Sequence, residues 1–126
     1  MITRNTMASA LIAATLFLAS SAPAATLFTP PLSFQTWFGT EIVCKITNVA
    51  DTESKVRVRS IRQNGRTDDD SGAVVLRPHQ TIEAASSGSG RSYCRFDVQG
   101  DADRVRASAC TVDVPGQRCV GIVEAY

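Results

Sequence analysis

The stretch Arg91-Ser92-Tyr93-Cys94-Arg95-Phe96-Asp97-Val98 decides the fold. Cys94, Phe96 and Val98 fall in one phase of a two-residue period, and Arg95 and Asp97 in the other. Successive side chains of a strand point to opposite faces, so this stretch reads as a strand with one dry face and one wet face. Earlier in the chain Ile42, Cys44 and Ile46 alternate with Lys45 and Thr47 in the same way. Each strand thus turns a cysteine inward.

Working outward, no apolar 3.6-residue period lasts more than one turn anywhere past residue 33. Short β-branched runs recur instead, and the spacing predicts strands near 34–38, 40–48, 55–62, 72–77, 80–86, 91–98, 104–112 and 118–125. Turn signals separate them at Asn64-Gly65, Gly88-Ser89-Gly90, Gly100 to Asp103, and Pro115-Gly116. The expected fold is all-β, a small antiparallel β-sandwich of about seven or eight strands stapled by disulfides. Its architecture resembles immunoglobulin-like and fibronectin type III-like domains. The tryptophan that immunoglobulin domains bury on their third strand is missing, because the single Trp is Trp37.

Of the 126 residues, the first 24 read as a cleaved secretory signal peptide. Arg4 gives a positive start, Met7 to Ala19 an uncharged apolar run too short to span a bilayer comfortably, and Ala22-Pro23-Ala24 a small-x-small cleavage site. No later segment is apolar enough to span a membrane. Residues 25–33, with Pro30-Pro31, are expected to form an extended arm, and 34–126 a single sandwich domain. The predicted location is secreted or periplasmic.

Export governs the reading of Cys44, Cys94, Cys110 and Cys119, an even set with no C-x-x-C spacing. Two disulfides are expected, and parity selects the pairing. Val105, Ala107 and Ala109 are the apolar phase of their strand, which sets Cys110 outward with Arg104 and Arg106. A hairpin over Gly100–Asp103 would put 96 opposite 107 and 94 opposite 109, and one centred between Val114 and Pro115 would put 110 opposite 119. Cys44–Cys94 across the sandwich and Cys110–Cys119 between neighbouring strands follow. Immunoglobulin-like domains also place a core bridge between their second and sixth strands. On the chain-entropy model the larger loop contributes about 4 kcal/mol and the smaller about 2.7 kcal/mol.

Little catalytic chemistry is offered. His79 is the single imidazole, following Pro78 in a turn, and reads as solvated. The run Asp68-Asp69-Asp70 is a weak calcium candidate, since its glycine is out of register and no distal acid follows. Three adjacent carboxylates repel one another, which suits a solvated loop. Gly88-Ser89-Gly90 lacks the context of a dinucleotide loop. No cofactor, resident metal or catalytic residue is expected. The formal charge is +1, which disfavours nucleic-acid binding driven by overall charge.

The informative polar feature is arginine: the chain uses 11 Arg and 2 Lys. Arg57, Arg59, Arg95, Arg104 and Arg106 all take the outward phase. If the third, sixth and seventh strands neighbour one another, the five form an anion-binding face, partly neutralised by Asp97 opposite Arg106. The expected function is therefore an exported, non-catalytic binding module for an anionic glycan, an anionic surface or an acidic protein. The alternative is a structural subunit of a surface appendage or envelope assembly whose N-terminal arm pairs with a neighbour's sheet edge. An enzyme is the weakest of the three classes.

Overall fold

The computed structural model describes residues 24–34, 40–87, 90–113 and 118–126. The expected signal segment up to residue 23, nearly all of the strand expected at 34–38 with Trp37, and the expected turns around 88–89 and 114–117 lie outside the described residues. Among the described residues ten strands follow in order: β1 (Ala24–Phe28), β2 (Leu32–Phe34), β3 (Thr40–Asn48), β4 (Ser54–Arg62), β5 (Thr67–Asp70), β6 (Val74–Leu76), β7 (Thr81–Ser87), β8 (Gly90–Gln99), β9 (Val105–Asp113) and β10 (Arg118–Glu124). They make two antiparallel sheets packed face to face. One has the order β1-β8-β4-β5, with β2 also on β8 and β6 also on β4; the other is β10-β9-β3-β7.

The alternation read from sequence is what fills the space between the sheets. Ile42, Cys44 and Ile46 of β3 meet Val56 and Val58 of β4 and Cys94, Phe96 and Val98 of β8 in one core, with Leu76, Ala84, Val105 and Ala109. Phe96 is its largest fully buried side chain, and burying such a ring contributes roughly 1.5–3 kcal/mol. Cys44 and Cys94 are joined between the sheets, with Cα atoms 5.7 Å apart. Cys110 and Cys119 are joined between β9 and β10. Two disulfides are the bonds of an oxidising, extracytoplasmic environment.

One buried polar residue organises an end of the sandwich. Asn48 is fully buried, and its amide donates to the carbonyls of Thr52 (2.9 Å) and Leu76 (3.0 Å). Its side-chain oxygen accepts from the Ala50 N–H at 2.9 Å and from the Ser54 hydroxyl at 3.4 Å. All four hydrogen-bonding positions of the amide are used, so burial leaves none of them orphaned. The exposed His79 follows in a turn at φ +66°, its N–H donating to the Asn48 carbonyl at 2.8 Å.

Three expectations are corrected by the topology. The chain does not turn back beside β8 at Gly100 as a hairpin would. Instead Gly100, at φ +106°, and a single 3-10 turn over Ala102–Arg104 carry it across to the other sheet. β9 therefore pairs β3, with Ala109 opposite Cys44, rather than pairing β8. The place beside β8 is taken by the N-terminal arm, which is strand β1, Leu27 opposite Phe96. Second, Cys110 does not lie directly opposite Cys119. The hairpin register itself sets Arg118 opposite Asp113 and Cys119 opposite Val112, and the bulge at Val120 then moves the ladder one residue further, so that Ile122 faces Cys110. Third, the acidic run is not a loop but part of the short strand β5, paired to β4.

Candidate functional site: the outer face of β4 and β8

Once one phase of β4 and β8 fills the core, the other must face outward, and it carries the charge. The ladder arranges it in two rows. Thr26, Asp97 and Arg57 lie side by side on β1, β8 and β4; one step along lie Phe28, Arg95, Arg59 and Asp70, the last on β5. Arg59 and Arg95 are thus direct cross-strand neighbours of like charge, an arrangement that is destabilising unless an acid intervenes. Asp97 intervenes. One of its oxygens accepts from Arg59 Nη2 at 2.6 Å and the other from Arg95 Nε at 3.3 Å and the Thr26 hydroxyl at 3.1 Å. Arg57 turns the other way and forks onto Asp70, Nε to Oδ1 at 2.9 Å and Nη2 to Oδ2 at 2.5 Å.

The carboxyls register these cations. Asp70 is lowered to about 2, chiefly by the Arg57 guanidinium and then by the Gly72 N–H. Burial of Asp97 acts to raise it, but hydrogen bonds from Arg59 and Thr26 and the charges of Arg95 and Arg59 outweigh that, so it lies below the usual range. Arg57 is raised, first by its bond to Asp70. Three guanidiniums against two carboxylates leave an excess of one positive charge. Arg59 is the most enclosed of the three, and its buried Nε has no hydrogen-bond partner among the described residues. At one end Arg95 sits 5.7 Å over the ring of Phe28, which is itself 6.4 Å from Tyr93. At the other a shallow groove of about 400 Å³ opens, lined by Lys55, Arg57, Arg95, Asp97, Gln99 and Ala24, among others.

Of the five arginines expected on one face, Arg57, Arg59 and Arg95 are brought together and two are not. Because β9 belongs to the other sheet, Arg106 stands on the opposite side of the molecule, in a groove of about 710 Å³ with Lys45 and Glu124. Asp97 accordingly faces Arg57, not Arg106. Arg104 is a clamp on the β3–β4 connection, with Nη2 2.6 Å from the Thr52 hydroxyl and Nε 3.1 Å from that of Ser54. The three carboxylates of the acidic run diverge. Asp68 takes Arg62 Nε at 2.8 Å, Asp69 takes the Ala85 N–H at 3.0 Å, and Asp70 takes Arg57. No group of three or more potential metal ligands occurs among the described residues. Thr26, Phe28, Lys55 and Asp70 were not anticipated at the site; the Thr26/Phe28 phase against Ala25/Leu27 is the signal that reveals the first two.

These features define a small, disulfide-stapled antiparallel β-sandwich with a charged sheet face. No protein-family model matches the chain, and no curated protein does. Among solved structures, the crystal structure of Thermotoga maritima 1070 is similar, with a TM-score of 0.53, 12% identity, and coverage of 80% of this chain and 91% of that one. At that identity the likeness is one of fold. No helix among the described residues is long and apolar enough to cross a membrane.

Proposed function

We propose that the protein is an exported, non-catalytic binding module that receives an anionic partner on the outer face of β4 and β8. Residues 1–24 direct export as a secretory signal, in keeping with the oxidised cysteines. The observation that carries the binding reading is the convergence of Arg57, Arg59 and Arg95 against only two carboxylates, beside a groove to which Lys55 adds a further cation. Guanidiniums on a rigid sheet are pre-organised for carboxylate or sulfate oxygens. An acidic glycan fits the face best, because Phe28 offers an apolar surface to a sugar ring next to the charges. The competing reading as an assembly subunit drew on a free N-terminal arm, and that arm is occupied as β1 of its own sheet.

Calorimetric titration of the oxidised domain with a polyuronate, and with a neutral polysaccharide as control, tests the proposal. Binding to the polyuronate alone is expected, weakening with salt. Arg57→Ser, Arg59→Ser and Arg95→Ser together should abolish it, and Asp70→Asn with Asp97→Asn should tighten it by freeing the guanidiniums. Affinity unmoved by the triple arginine change in a folded protein would discard this face.

A further inference from the structure

Strand β1 begins where the export signal is expected to end. Its first residue, Ala24, closes the small-x-small stretch Ala22-Pro23-Ala24, and Ala25 and Leu27 already pack on the core. Ala24 is exposed, shares the outward phase of Thr26 and Phe28, and lines the groove with Lys55, Arg57, Arg95, Asp97 and Gln99. The backbone there is aimed by alternation. Thr29 donates its N–H to the Cys94 carbonyl at 3.0 Å, whereas Phe28 turns both of its backbone groups away from β8, to Tyr126. Counting back in steps of two from Thr29 brings the Ala25 nitrogen, opposite Val98, onto the β8 side of the strand.

We infer that signal removal completes the anion site, by turning the Ala25 nitrogen into an α-ammonium at the wall of this groove. A signal-removing peptidase adds water across the Ala24–Ala25 amide. The hydroxyl goes to the Ala24 carbonyl carbon and the proton to the Ala25 nitrogen, and the new acid then passes its own proton to the new amine. The carboxylate departs with the signal, so the domain keeps one added positive charge. Along the groove that ammonium joins Lys55, Arg57 and Arg95 against one carboxylate among the described residues, that of Asp97. It has three donors, of which the Val98 carbonyl takes one, and two remain for carboxylate or sulfate oxygens. Departure of Ala24 also clears its methyl group from the groove. Capture of an anionic chain thus reaches full strength only after export. This inference rests on the export signal and the β4–β8 face proposed for this chain, and it makes the state of the N-terminus a control on that face.

Mass spectrometry of the exported protein should find Ala25 as its first residue; any other start overturns the inference. Polyuronate titrations then compare the oxidised domain beginning at Ala25 with the same domain acetylated on its α-amine at about pH 6.5, where lysine amines stay protonated. Acetylation keeps an N–H on the Ala25 nitrogen, so the β1–β8 ladder and the melting temperature should not change. Affinity should fall about two- to fivefold, the scale of one exposed ion pair. The free form should lose the same factor as pH rises from about 6.5 to about 9, through the ordinary α-amine range near 8, and the acetylated form should not. Lys55 and Arg57 of β4 and Arg95 and Asp97 of β8, which line the groove with the amine, are of side-chain types that keep their charge over that range. Equal affinities, or one pH profile shared by both forms, would overturn the inference and leave the face in place. No polyuronate binding by either form would discard the face and the inference together.

Discussion

Asp70 and Asp97 set how much positive charge the β4–β8 face shows, and they also tie stability to pH. Both carboxyls lie below their ordinary value in the folded chain, Asp70 at about 2. A carboxyl with a depressed folded pKa binds its proton more readily when unfolded. Its stabilising contribution is complete above the unfolded value of about 4 and is lost as pH falls through the folded value. Melting temperature should therefore drop between about pH 4 and pH 2, and Asp70→Asn should flatten that part of the profile. An unchanged profile would show that the Arg57 fork has no such linkage. The phase of Arg57, Arg59 and Arg95 was legible in the sequence because parity alone sets it. Their partners were not, since Asp97 and Asp70 engage diagonally across strands whose register depends on the whole sheet.

Among the elements, β10 contrasts most with the core. Cys44 and Cys94 are both fully buried between the sheets, whereas Cys119 is exposed on an edge strand with almost no buried side chain. Thiol exchange needs access to a sulfur, and local opening of an edge strand provides it at little cost. Mild reductant followed by alkylation should label Cys110 and Cys119 first, leaving Cys44–Cys94 closed until the protein unfolds. The singly opened form should lose at most about 3 kcal/mol. Early labelling of Cys44 or Cys94, read by peptide mass, would contradict this order. The positions of β3, β4 and β6 to β10 and the cysteine phases were readable because each rests on a few adjacent residues, whereas β1, β2 and β5 carry no long apolar alternation of their own. The Val120 bulge was not: a one-residue insertion leaves the apolar pattern on either side intact and shows only in the ladder.

At the scale of the molecule, the crossing of β9 could not be read from alternation. Parity says which face a residue takes but not which strand lies beside it, so a hairpin within one sheet and an arch between two satisfy the same pattern. What distinguishes them is tertiary: Arg104 reaches back to Thr52 and Ser54 just before β9 begins, and β1 already occupies the flank of β8. β1 is then an integral strand and not an appendage. Ala25 and Leu27 pack on the core, Thr26 bonds Asp97, and Phe28 closes the sandwich edge onto Tyr126. Removing residues up to Phe28 should strip these contacts together and open the β8 edge to pairing between molecules. The truncated domain should melt well below the domain that keeps β1 and aggregate as it does so. Leu27→Ala alone should destabilise by about 1–2 kcal/mol, since the side chain is only partly buried. Thr26→Ala, which takes away one exposed hydrogen bond, should shift stability by no more than about 1 kcal/mol. A truncated protein that melts with the full-length one would mean that the flank of β8 stands without β1, and that the arm is free for other use.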